Sequence, residues 1–194
     1  MAHNEDTRVK IPAILHLNRL GYKYISLKEA RWDTESNIFT GILKRSIEKI
    51  NPDSEPEEID KYLEELKLIL DNEDLGKAFF EKLIEKSGIK LIDFENFDNN
   101  TFNVVTELTC KNDDEEFRPD ITLLINGLPL FFIEVKKPNN REGIIAEKER
   151  INKRFKNKKF RRFVNITQLM VFSNNMEYDD ESTEQLQGAF YASS

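Results

Sequence analysis

Apolar residues recur at helical spacing through the first ninety or so positions. Over residues 5–20, Val9, Ile11, Ile14, Leu15, Leu17 and Leu20 form a broad stripe and Gly21 follows as a stop, which predicts a helix. Pro12 lies inside that stretch and draws the helix start toward itself. A second helix is predicted over 39–50, ending at Asn51-Pro52. A third, over 57–70, turns Ile59, Tyr62, Leu63, Leu66, Ile69 and Leu70 inward. A fourth, over 74–86, buries Leu75, Phe79, Leu83 and Ile84 and ends before Gly88.

The period then changes. Residues 102–110 are β-branched and predict a strand, and an acidic loop follows over 112–116. Two apolar runs, 121–125 and 130–135, are joined through Asn126-Gly127, the strongest short hairpin signal. Their near-continuous hydrophobicity predicts strands covered on both faces. Residues 141–156 predict a basic helix and 163–173 a further buried strand. Helices followed by strand-strand-strand-helix-strand predict an α+β fold of the mixed-sheet type. No repeat or Gly/Ser-rich linker interrupts the chain, so 1–194 is expected to form a single domain, with 1–90 mostly helical and 100–175 the sheet-containing core.

Composition narrows the chemistry. Apolar residues make up 39% of the 194 and charged residues 34%, so a core forms beneath a heavily charged surface. Fourteen phenylalanines argue against disorder. No apolar run approaches the roughly 20 residues of a membrane helix, and the polar N-terminus is not a signal peptide; a cytoplasmic protein without a membrane partner is expected. One cysteine, Cys110, excludes an intrachain disulfide and a multi-cysteine zinc site. With His3 and His16 the only histidines, carboxylates and lysines must carry any catalysis. The net charge of −7 hides a segregation: residues 136–162 hold 12 Lys/Arg against three acids, a local +9, which leaves −16 on the remainder. Such a block is either a solvated face or a phosphate-tracking surface.

Pro119-Asp120, 13 residues, then Glu134-Val135-Lys136 bracket the predicted hairpin. Pro52-Asp53, 11 residues, then Glu65-Leu66-Lys67 nearly repeats the string, but within an amphipathic helix where the charges are solvated. At the ends of buried strands, by contrast, Asp120 and Glu134 bear a desolvation cost that a partner or cation must offset. Glu134 and Lys136 share a strand face. A two-residue turn without irregularity would pair Asp120 with Ile133 and send it to the opposite face. A three-residue loop, Asn126-Gly127-Leu128, or a bulge would pair it with Glu134. Pro129 cannot donate to a ladder, which favours the odd loop. Two converging carboxylates with the Val135 carbonyl make a hard oxygen site for Mg²⁺ or Mn²⁺, beside which Lys136 would orient water or stabilise developing charge. The same residues could instead form a partly buried ion pair of Lys136 with both acids.

The segment from Arg118 to Pro138, Arg-Pro-Asp-Ile-Thr-Leu-Leu-Ile-Asn-Gly-Leu-Pro-Leu-Phe-Phe-Ile-Glu-Val-Lys-Lys-Pro, closely resembles the nuclease motif of type I restriction enzyme R subunits, of the PD-(D/E)xK superfamily. The resemblance extends to Leu20-Gly21-Tyr22, Phe102-Asn103-Val104-Val105 and Gln168-Leu169-Met170-Val171-Phe172-Ser173-Asn174. It implies a restriction-endonuclease-like αβββαβ core with additional N-terminal helices and Mg²⁺-dependent cleavage of double-stranded DNA. Asp120 and Glu134 fall on the metal-binding acids and Lys136 on the catalytic lysine. The implied partners are DNA and the methyltransferase and specificity subunits. ATP is expected to bind in a following translocase region, since no Gly-x4-Gly-Lys-Ser/Thr occurs here. Many members place a supporting acid on the first helix, for which Glu5 is the candidate. Their Gln-x3-Tyr on the helix after the lysine is absent, where this chain reads Ile151-Asn152-Lys153-Arg154-Phe155. Arg150, Lys153 and Arg154 are the candidates for phosphate contact, and Glu107 is either a site acid or an edge-strand surface acid. The alternative function is a catalytically silent module of the same fold that docks DNA or other subunits.

Overall fold

The computed structural model describes residues 9–112, 114–136, 141–173, 181 and 189–192, with 141–145 and 189–192 followed by backbone. Six α-helices are described: α1 (Ile11–Arg19), α2 (Thr40–Ile50), α3 (Pro56–Ile69), α4 (Lys77–Leu83), α5 (Arg141–Phe155) and α6 (Arg161–Ile166). The strands are β1 (Lys23–Tyr24), β2 (Phe102–Thr106), β3 (Cys110–Asn112), β4 (Glu115–Phe117), β5 (Ile121–Ile125), β6 (Leu128–Val135), β7 (Leu169–Ser173) and β8 (Ala189–Ala192). A mixed sheet in the order β1-β2-β5-β6-β7-β8 forms the centre, and β3 and β4 make a separate ribbon. The antiparallel β2, β5 and β6 are followed by α5, α6 and the parallel β7, which gives the expected α+β fold. Among the described residues no helix is long and apolar enough to cross a membrane.

Strand β6 is central and covered on both faces. Val135 packs with Val9 and Leu17 beside α1, whereas Phe132 packs with Ile151 of α5, Phe163 of α6 and Phe172. Leu128 and Leu130 join the core built by α2, α3 and α4. Burial on both sides explains the near-continuous apolar sequence.

Several expectations are corrected. Helix α1 is not among them: it runs over Ile11–Arg19 with Pro12 in its first turn, where a missing N–H costs nothing, in agreement with a start drawn toward Pro12, and residues 5–8 of the predicted span lie outside the described residues. Helix α4 starts only at Lys77, because the left-handed Gly76 precedes it with its N–H bonded to the Asp74 side chain at 3.0 Å. The predicted strand 102–110 breaks at Glu107, whose φ of 58° ends β2. The acidic loop is partly strand, since Glu115–Phe117 pairs with Cys110–Asn112. The run 163–173 is a strand only from Leu169; before it, Phe163, Val164 and Ile166 lie in the buried helix α6. A short run buried all round has no period that distinguishes helix from strand.

The odd hairpin loop is also corrected. Asn126 and Gly127 form a tight two-residue turn with φ of 54° and 83°, and Ile125 pairs with Leu128. Parity is restored inside the hairpin instead. Leu124 pairs with Pro129 and Leu123 with Phe131, so Leu130 is an extra residue in a bulge. Pro129, without an N–H, stands next to that irregularity, where a missing ladder bond is tolerated. The turn itself is buried. The Asn126 side-chain amide donates to Leu91 O and Asn100 Oδ1, each at 2.8 Å, and its Oδ1 accepts from Thr101 N at 2.7 Å.

Candidate active site

Beyond the bulge the register runs Ile121 against Ile133, which sets Asp120 opposite Glu134 at one end of the sheet. The two residues clasp each other. Asp120 N donates to Glu134 Oε2 at 3.3 Å, and Val135 N donates to Asp120 Oδ2 at 2.9 Å. Glu134 is only 5% exposed. Burial, followed by the hydrogen bond and charge of Asp120, pushes its carboxyl up to about 8, against a smaller opposing effect of Lys136. Two carboxylates forced together in a low-dielectric position favour whatever neutralises one of them, a proton or a cation.

Lys136 follows Glu134 on the same strand face, and its N–H continues the ladder to Ser173 O at 2.8 Å. Its ammonium reaches Glu147 Oε2 of α5 at 3.3 Å, so its closest acid is neither Asp120 nor Glu134. Glu147 is 2% exposed and also pairs with Arg150 Nη2 at 2.5 Å, while Arg154 Nη1 stands 3.6 Å from its other oxygen, an ion pair without a hydrogen bond. Arg154 lies over the Phe117 ring, 4.0 Å from its centroid, and its burial lowers the guanidinium pKa. On the other flank Glu107, at the end of β2, donates its N–H to Asp120 O at 3.2 Å. Its carboxylate meets Lys10 Nζ and, at 2.6 Å, Arg118 Nε. Lys10 lies 3.7 Å from Asp120 Oδ1.

Asp120, Glu134 and Lys136 therefore meet at one sheet end, with Val135 between them. Glu107 is beside the site rather than on an edge strand, since β2 lies between β1 and β5. Glu5 lies outside the described residues. Lys153 is exposed on α5. Glu65 and Lys67 of the near-repeat are solvated on α3 and pair with Lys82 and Glu64. The second half of the basic block is not a free cationic face. Lys158 and Arg161 bind Glu73, Lys159 binds Asp114 and Glu115, and Arg162 binds Asp71 and Glu35. Exposed pairs of this kind contribute little to stability, but they reduce the field available to a polyanion.

Two site residues escape sequence reasoning. Lys10 gives no signal between Val9 and Ile11. Glu147 does give one: it precedes the buried Ile151 and the inward Phe155 at spacings of four on α5, so an acid occupies a core position.

The donor set suits a hard cation. Ionised Asp120 and Glu134 offer only acceptor oxygens, and Mg²⁺ keeps most of its waters, so it needs few protein ligands. Among the described residues no group of three or more His, Cys, Asp and Glu could hold a metal, which leaves the pair with a backbone carbonyl such as that of Val135.

The family model of the type I restriction enzyme R protein N terminus matches residues 2–179. The chain is 30% identical over 200 residues to the MjaIXP endonuclease subunit of Methanocaldococcus jannaschii, covering 90% of this chain and 19% of that one. It is 26% identical over 193 residues to the type I restriction enzyme SauCOLORF180P endonuclease subunit of Staphylococcus aureus, covering 91% of this chain and 19% of that one. With the type I restriction enzyme HindI endonuclease subunit of Haemophilus influenzae it shares 28% identity over 148 residues, 63% of this chain and 14% of that one. The chain thus spans about a fifth of the length of the first two relatives.

Proposed function

The chain belongs to the family of type I restriction enzyme R protein N termini, and on that premise we propose that it is a Mg²⁺-dependent DNA endonuclease domain of the PD-(D/E)xK superfamily. The observation that carries this reading is the clasp of Asp120 and Glu134 at the end of β5 and β6, with Lys136 two residues further on. Its substrate is double-stranded DNA, and its partners are the methyltransferase and specificity subunits of a cytoplasmic restriction complex.

Asp120, Glu134 and the Val135 carbonyl would hold the ion. When bound, Mg²⁺ (or Mn²⁺) polarises the phosphodiester and lowers the pKa of a coordinated water. Asp120 keeps its carboxylate aimed by accepting from Val135 N, so the acid is positioned by backbone rather than by a mobile partner. Lys136 lies on the face of Glu134 and places an ammonium where charge develops on the phosphate oxygens. Arg150, 58% exposed, and the exposed Lys153 present positive charge beside the site for phosphates of the bound strand. Base recognition and ATP-driven translocation are assigned to other parts of the complex.

The test is cleavage of target DNA by the full restriction complex with Mg²⁺. Asp120→Ala, Glu134→Ala and Lys136→Ala should each abolish cleavage while ATP hydrolysis persists. Cutting at the wild-type rate by the Asp120→Ala complex would place the active site elsewhere.

A further inference from the structure

Helix α5 supplies a residue that the proposed metal site does not use. Glu147 points inward and is 2% exposed, yet it is an acid. A buried carboxylate costs several kcal/mol unless compensated, and replacing such a group by an apolar one is often neutral for stability. An acid at this core position therefore needs compensation from its surroundings. Its contacts supply it: three cations converge on it, and one is Lys136 at 3.3 Å. The other two, Arg150 and Arg154, are one and two turns further along the same helix.

We propose that Glu147 is a positioning residue, whose carboxylate holds the Lys136 ammonium at the rim of the Asp120–Glu134 pair. The inference rests on the nuclease reading above. The lysine ammonium ends a flexible four-carbon stem and loses rotamer entropy when it is fixed. Glu147 fixes it before DNA arrives, so the cost is not charged to the reaction. The carboxylate is itself fixed. Its Oε2 receives both Lys136 and Arg150, and its Oε1 faces Arg154, which is clamped on the Phe117 ring. The arrangement also sets the local charge. Lys136, Arg150 and Arg154 against Glu147 leave two positive charges on the flank of the Asp120–Glu134 pair.

The experiment compares wild-type, Glu147→Gln, Glu147→Asp and Lys136→Ala subunits within the full restriction complex. Glu147→Gln keeps the shape and removes the charge. Single-turnover cleavage should slow by about tenfold or more, as expected when a catalytic group is loosened rather than lost. DNA affinity should be unchanged or tighter, because Arg150 loses a competing anion. Acylation of Lys136, read by mass spectrometry against the half-buried Lys44, which Asp60 holds on a different part of the fold, should become several times faster, on the order expected for a freed ammonium. Glu147→Asp keeps the charge and should cleave at a rate between wild type and Glu147→Gln.

A merely structural glutamate would instead lower DNA affinity together with rate and leave Lys136 labelling unmoved relative to Lys44, and that result overturns the proposal. So does wild-type cleavage by Glu147→Gln. If Glu147→Gln does not fold, Glu147→Asp carries the test: slower cutting at unchanged affinity supports the proposal, and wild-type cutting overturns it. Normal cutting by Lys136→Ala would instead overturn the nuclease reading on which the inference rests.

Discussion

The buried carboxyl pair makes the stability of the chain depend on pH in a defined direction. Glu134 is raised from an ordinary 4.5 to about 8 by burial first and by Asp120 second. In the unfolded chain it ionises above its ordinary value, whereas in the fold it stays protonated until about 8. Its contribution is therefore fully present below pH 4.5, declines as pH rises from there, and has been lost once pH passes about 8. A shift of this size corresponds to about 5 kcal/mol. Glu134→Gln cannot ionise, so its stability lacks that decline. At 2–4 °C per kcal/mol for a chain of this length, its melting temperature relative to wild type should gain on the order of 10 °C between acid and alkaline buffer. Thermal melts of both proteins from pH 4.5 to 9, with chelator present, read this difference. Adding Mg²⁺ at the alkaline end should raise the wild-type midpoint and leave the variant unmoved. Melting curves of the two proteins that stay parallel across the whole range would refute the argument that two carboxylates are forced together here.

The cations of the basic block should differ in their effect on DNA. Lys153→Glu should flatten the slope of log affinity against log salt by about one, the value of one phosphate contact, whereas Lys158→Glu should change it little because Glu73 already occupies that lysine; equal effects in salt-titrated binding would contradict the pairing. Gly127→Ala should destabilise the fold by roughly 2–4 kcal/mol, measured by denaturant unfolding, because an added Cβ would stand 2.7 Å from Phe39 O at a residue whose φ is +83°.

What was legible in the sequence follows from which forces are local. Helices α2 and α3 were readable because one face of each is apolar at a single period, and the hairpin because Asn126-Gly127 has few other uses. The convergence of Asp120 and Glu134 was legible as a parity question. Its answer was not, since the bulge at Leu130 is set by what packs on both faces of β6 and not by the turn. The run 163–166 is ambiguous because these four residues of α6 are all buried, so no alternation of exposed and buried positions marks a helix. Whether Glu107 is a site acid or an edge-strand surface acid is not decided by sequence, because strand order depends on long-range pairing. Lys10 comes to the site from about 110 residues upstream of Asp120 with no local signal, whereas Glu147 lies on the helix that directly follows β6 and could be suspected from its place in the inward row of Ile151 and Phe155.

The buried turn at Asn126 has a consequence for how the two halves of the molecule depend on each other. Its side chain is satisfied only by Leu91, Asn100 and Thr101, and Gly127 O only meets Phe39 N, at 2.9 Å, once α2 has docked. A hairpin that is local in sequence thus depends on a segment more than eighty residues upstream for the burial of its tip, since an unmatched amide there would be costly. The like-charged carboxylates stand at the opposite end of the same two strands. Docking of the helical half on the turn therefore helps hold β5 and β6 in the register that buries Glu134 beside Asp120 at their other end.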